Sequence, residues 1–174
     1  MRAVSFITSL LLGASVSGLA LAQPVDATSE LLDRSSVLDI RGLDLKVKEE
    51  PKHDVKCPKT NNGPSRDYDE HKYTKGQVKA AFLGGAKLAA DGKQVGRNKY
   101  PHDFGNKEKL PFKCGKDKME FPIQFDNKVY DGGDVGNVPD RVVFEYQKKK
   151  KEFVVKFCGI MRHGPTPDFL ECKD

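Results

Sequence analysis

One helical stripe followed only by strand-like segments constrains this chain more than any other feature of its sequence. Thr74 stands where an N-cap belongs, and Gln77 three residues later completes a capping box. Val78, Ala81, Phe82, Gly85, Leu88 and Ala89 then recur at helical spacing as an apolar stripe. Lys75, Lys79, Lys87 and Lys93 lie off it. Asp91-Gly92 supplies the stop. The stripe reads as core, and Gly84-Gly85 either weakens the helix interior or lets a sheet approach closely. From residue 98 the pattern changes. Strands are expected at 100–104, 118–125, 140–146, 153–163 and 168–172, divided by turns such as Asp131-Gly132-Gly133-Asp134 and Gly164-Pro165-Thr166-Pro167. No helix intervenes, so the sheet is expected to be antiparallel. The expected fold is α+β: one helix packed on a twisted antiparallel β-sheet, leaving the other sheet face free to carry a site.

The N-terminus bears on compartment. Arg2 is the only charge in the first 22 residues, and the apolar run ends at Ala20-Leu21-Ala22, as in a cleavable signal peptide spanning 1–22. The run is too short and too rich in Ser and Gly for a membrane anchor, so no stable membrane insertion is expected. Residues 23–52 lack cysteine and aromatic residues, run acidic, and read as a disordered leader or pro-segment, with LLDRSSVLDIRGLDL as a possible short helix. The domain proper is set at 53–174, and within it 57–73 reads as loop, with Asn61-Asn62-Gly63-Pro64 as a turn signal. Its four cysteines, Cys57, Cys114, Cys158 and Cys172, suggest two disulfides in an exported chain, with three pairings open. No two lie close enough for a metal knuckle, so no metal or cofactor is expected. Residues 57–174 carry a net charge of +6, against −2 for 23–56, which favours a polyanionic partner.

Within the strands, polar residues interrupt apolar company. Tyr100 and His102 share a face; Glu120 opens EFPIQF; Arg141 leads RVVF, opposite Val142 and Phe144; His163 ends FVVKFCGIMRH. Singly, each has a bland reading: a structural histidine, or a surface ion pair. Together, on the uncovered face, they suit RNA cleavage. That reaction needs a base for the 2′-hydroxyl, an acid for the departing 5′-oxygen and positive charge around the phosphate. Arginine matches phosphate with two parallel hydrogen bonds.

YPHDF with GNKE, then MEFPI, PDRVVFEY, FCGIMRH and DFLEC resemble, in order, the signatures of the fungal extracellular guanyl-specific ribonucleases. These share the barnase-like microbial ribonuclease fold with the sarcin-type ribotoxins. The resemblance spans roughly residues 57–172. It implies Glu120 as general base, His163 as general acid, His102 as the residue that assists the base, Arg141 and Tyr100 as phosphate ligands, and Phe169 as packing beside the phosphate. It places guanine in the loop Phe104, Gly105, Asn106, Lys107 and Glu108. Asn106 and Glu108 match the family pattern. Lys107 stands where a lid aromatic is expected, and Gly105 replaces a frequent Asn; a lysine cannot stack as an aromatic does, so guanine preference is expected to weaken toward purines generally.

The cysteine positions imply the pairs Cys57–Cys172 and Cys114–Cys158, as in ribotoxins and purine-preferring relatives. His102 and Glu120 lie only 18 residues apart, so the long lysine-rich loop of ribotoxins is absent. The resemblance therefore implies a secreted monomer acting on single-stranded RNA. Its rivals are a cytotoxic effector delivered into host cells and aimed at ribosomal RNA, and a non-catalytic RNA-binding effector on the same scaffold. Lys148-Lys149-Lys150-Lys151 reads as a hairpin turn, and as a patch that could track phosphates or meet anionic membranes. His53 and His71 read as surface residues.

Overall fold

A computed structural model describes residues 42–64, 66–165 and 168–174. Residues 1–41, on which the expected signal peptide and most of the expected leader fall, lie outside the described residues. The elements run β1 (Asp44–Glu49), β2 (Val55–Cys57), β3 (Thr60–Asn61), β4 (Asp67–Tyr68), β5 (His71–Tyr73), α1 (Lys75–Ala90), β6 (His102–Asp103), β7 (Lys118–Pro122), β8 (Asp140–Lys148), β9 (Glu152–His163) and β10 (Phe169–Glu171). The main sheet is ordered β1-β9-β8-β7-β6, and β10 also pairs with β9. The pairs β6–β7, β7–β8, β8–β9 and β9–β10 are antiparallel.

Two expectations need correction. Asp44–Glu49 is not a disordered leader but an edge strand, parallel to the first half of β9, with Leu45 opposite Phe153. The sheet is therefore mixed, and its ordered part begins before residue 53. Leu43 and Leu45 pack on the core, which holds this edge in place. Residues 57–73 are not loop alone: β2 pairs with β5 and β3 with β4.

The helix starts as its sequence dictates. The Thr74 hydroxyl accepts the Gln77 backbone N–H, and the Gln77 side chain accepts the Thr74 N–H. Its buried face is Val78, Ala81, Phe82, Gly85, Ala86 and Ala90. Ala86 and Ala90 thus replace Leu88 and Ala89 of the expected stripe, which sit at its flank. The Phe82 ring meets Phe144 and Phe157 edge-on, each at 5.8 Å. Gly85 serves close approach: a Cβ there would stand 2.7 Å from the Phe121 ring.

Period-two alternation then divides the sheet. Phe121, Val142, Phe144 and Ile160 face the helix in one core. Val143 and Met161 face the other way and, with Phe104 and Phe112, form a second apolar cluster. Cys57–Cys172 and Cys114–Cys158 are the disulfides, as the resemblance implied. Lys148–Lys151 forms the β8–β9 hairpin turn, closed by the Lys149 N–H donating to Glu152 at 2.8 Å. None of the described helices is long and apolar enough to cross a membrane.

Candidate active site

The sheet face away from α1 gathers the polar residues that the strands carry. His102 is the register partner of Glu120, which is in turn the partner of Val143. Directly opposed residues share a face, and His102 Nε2 lies 3.4 Å from Glu120 Oε1. Arg141 enters this face two residues before Val143. Its Nε donates to the Tyr100 hydroxyl at 3.0 Å, and its guanidinium lies 5.1 Å from the Tyr100 ring centre. Nη1 donates to the Asp140 carbonyl at 2.9 Å and also reaches the Val138 carbonyl. The Tyr100 ring stacks on His102 at 4.6 Å. Across the sheet His163 is paired with Phe169, and their rings lie 4.2 Å apart.

Tyr100, His102, Glu120, Arg141, His163 and Phe169 therefore line one cleft of about 620 Å³. All six of the residues expected to act at the phosphate are brought together. Glu120 is only 7% exposed, and its Oε2 is buried with no hydrogen-bond partner. Burial raises its carboxyl above the ordinary value, against the charges of Arg141 and His102, which lower it; Glu108 adds to the rise. Burial, followed by the positive charges of Arg141 and Arg66, pushes His163 down to about 4. A carboxylate on β7 and an imidazole on β9, with a guanidinium on the intervening β8, give the cleft two groups able to transfer protons and one able to hold a phosphate.

The expected base loop lies beside the cleft rather than in its lining. Phe104 is buried in the second cluster and meets Phe169 edge-on at 6.3 Å. Gly105 and Lys107 are exposed, and Glu108 is half-buried. The Asn106 side chain accepts the Leu110 N–H at 2.8 Å and donates to the Leu110 carbonyl at 2.9 Å. Asn106 thus braces the loop, with its own backbone at φ 46°.

Several lining residues escaped the sequence reading: Arg66, Tyr68, Arg97, Asn98 and Tyr130. They sit in turns and short hairpins whose spacing carries no periodic signal. A buried support was missed as well. Arg162 is wholly buried and forms a two-pronged pair with Asp140, each bond 2.7 Å, while the Tyr73 hydroxyl donates to Asp140 at 2.6 Å. Asp140 and Arg162 face each other across β8 and β9 on the helix side. Their chain neighbours, Arg141 and His163, are thereby fixed on the cleft side. His71 is corrected from surface to half-buried: its ring packs against Tyr73 at 4.5 Å and Phe125 at 4.6 Å. Among the described residues Cys57, Asp140 and Cys172 cluster as metal ligands would. The two sulfurs are bonded to each other, however, and Asp140 is engaged by Arg162 and Tyr73, so this cluster offers no ligand.

Residues 61–167 match the family model described as ribonuclease. The chain is 33% identical over 102 residues to guanyl-specific ribonuclease T1 of Aspergillus oryzae, covering 58% of this chain and 72% of that protein. The chain belongs to the fungal guanyl-specific ribonuclease family. It is also 38% identical over 74 residues to ribonuclease Ap1 of Aspergillus pallidus and, over the same length, to ribonuclease C2 of Aspergillus clavatus. Those matches cover 42% of this chain in each case, and 69% and 54% of the two relatives. The matched span reaches from β3 past His163, so every cleft residue named above except Phe169 falls within it. This ribonuclease is accordingly an endoribonuclease, built among the described residues on one helix and a mostly antiparallel sheet.

Proposed function

We propose that this ribonuclease is secreted and cleaves single-stranded RNA on the 3′ side of guanosine, with tolerance for adenosine. The observation that carries this reading is the Glu120 carboxylate, buried and raised, with one oxygen unpartnered in a cleft that also holds His163 and Arg141. A base is more effective when its pKa rises toward the working pH. Glu120 takes the proton from the 2′-hydroxyl. The 2′-oxygen bonds to phosphorus as the bond to the 5′-oxygen breaks, and His163 gives that oxygen its proton. The products are a 2′,3′-cyclic phosphate and a free 5′-hydroxyl. Water then follows the reverse path: His163 takes its proton as its oxygen bonds to phosphorus, the bond to the 2′-oxygen breaks, and Glu120 returns a proton to that oxygen, leaving a 3′-phosphate.

Arg141 holds the phosphate by its fork, and Tyr100 binds a phosphate oxygen. His102, 3.4 Å from Glu120, keeps that carboxylate oriented and supports its charge. Guanine offers N1–H and N2–H donors along one edge, which suits the Glu108 carboxylate in the loop braced by Asn106. The exposed Lys107 gives no aromatic lid, which supports relaxed purine choice. Only an unpaired base can enter such a loop, hence the single-stranded substrate. Two disulfides support an oxidising destination for the chain.

Glu120→Gln and His163→Ala test the assignment. Each should lower kcat on a guanylyl dinucleoside phosphate by about 10²–10⁴-fold, with native folding checked by circular dichroism. Near wild-type cleavage by folded His163→Ala would remove the acid from this account.

A further inference from the structure

Arg66 and Arg97 are the two cleft cations to which the reaction gives no task. Both line the cleft with Arg141 and His163. Among the described residues neither guanidinium enters an ion pair. The cleft's other acid besides Glu120 is Asp134, whose carboxylate accepts the Gly136 N–H at 3.0 Å within its own turn.

The Arg66 backbone is held in place, and its side chain is exposed. Its carbonyl accepts the Asn62 N–H at 2.9 Å, and its N–H donates to Gly63 at 3.2 Å, closing the β3–β4 hairpin. That hairpin is tied to the sheet. Buried Arg162 donates to the Pro58 and Asp69 carbonyls on either side of it, and the Tyr68 hydroxyl donates to Gly136. The Arg66 charge is felt at His163. In the proposed reaction His163 faces the leaving 5′-oxygen, so Arg66 stands where the RNA continues past the leaving nucleoside. Arg97 lies in the turn closed by the Lys99 N–H on Gly96, just before Tyr100.

We infer that Arg66, with Arg97 adding charge on the same cleft, binds the phosphodiester that follows the leaving nucleoside, so that longer RNA is favoured over a dinucleoside phosphate. The subsite rests on the cleavage reading above for its direction along the chain. Arginine suits it because its planar fork grips two phosphate oxygens at once.

The test compares a guanylyl dinucleoside phosphate with the same molecule carrying a further 3′-phosphate. In the wild type the added phosphate should raise kcat/KM by about tenfold, as expected for one charge-assisted contact. Arg66→Ala should lose most of that gain, Arg97→Ala a smaller part, and Arg66→Lys should keep some of it as a point charge. The slope of log kcat/KM against log salt for the longer substrate should become shallower by about 0.7 in Arg66→Ala. An equal gain in the wild type and Arg66→Ala, or no gain in the wild type, overturns the subsite. Binding of the 2′-deoxy analogues, which lack the nucleophile, reads the same difference without chemistry. A phosphate-dependent gain there, lost in Arg66→Ala, together with no cleavage of the ribose forms, would uphold the subsite and overturn the cleavage reading.

Discussion

Burial drives Glu120 and His163 in opposite directions, since each is pushed toward its neutral form. The proposed reaction needs both charged. A phosphodiester resolves the conflict at His163. Its negative charge offsets Arg141 and Arg66, whose positive charges disfavour the imidazolium, so binding should raise the His163 pKa from about 4. Proton NMR titration of the His163 ring, with and without guanosine 3′-phosphate, checks this. An upward shift is expected; a midpoint unmoved or lowered would place the phosphate away from His163. At this scale much of the site was legible. Glu120, Arg141 and His163 each interrupt an apolar strand, and alternation alone put Arg141 opposite Val142. What alternation could not supply was convergence, which came from strand register and from the resemblance. Arg66 and Arg97 gave no signal, because an arginine in a turn looks the same whether it meets solvent or substrate.

The helix was readable at its start and blurred at its end. A capping box is a local chemical pattern, and it formed as expected. Which alanines are buried depends on how α1 lies across the sheet, and that is set by contacts distant in sequence. Gly85 shows the constraint. Alanine there would gain about 0.5–1 kcal/mol of helix propensity. Its Cβ would press on Phe121, and overpacking of this kind costs about 1–3 kcal/mol. Gly85→Ala should therefore lower the melting temperature by a few degrees, read by thermal unfolding; an increase would mean that the helix lifts without penalty. Strand β1 was missed for a related reason. Its residues, Asp44–Glu49, are largely charged, with Val47 exposed and only Leu45 turned to the core. Parallel pairing at a sheet edge demands little alternation, so nothing in DLKVKE distinguished it from a solvated leader.

The two disulfides close loops of different size across the molecule. Cys57 and Cys172 are 115 residues apart and join β2 to the chain just after β10, whereas Cys114 and Cys158 are 44 apart. Loop-closure entropy makes the longer link worth about 1 kcal/mol more. Replacing Cys57 and Cys172 with alanine should thus cost more stability than replacing Cys114 and Cys158, in denaturant unfolding of the two variants. The reverse order would show that native contacts, not chain closure, decide the difference. The longer link also holds the β2–β5 region against the sheet, and with it the hairpin that carries Arg66.

In the proposed reaction the uncovered sheet face cleaves RNA after a purine by moving the phosphate onto the neighbouring ribose 2′-oxygen. The most direct measurement is cleavage of four dinucleoside phosphates differing only in the 5′ base, with the products followed in time. Cleavage should be fastest after guanosine, slower after adenosine and very slow after the pyrimidines, with a 2′,3′-cyclic phosphate appearing before any 3′-phosphate. Equal rates for all four bases, or a 3′-phosphate formed with no cyclic precursor, would contradict this reaction.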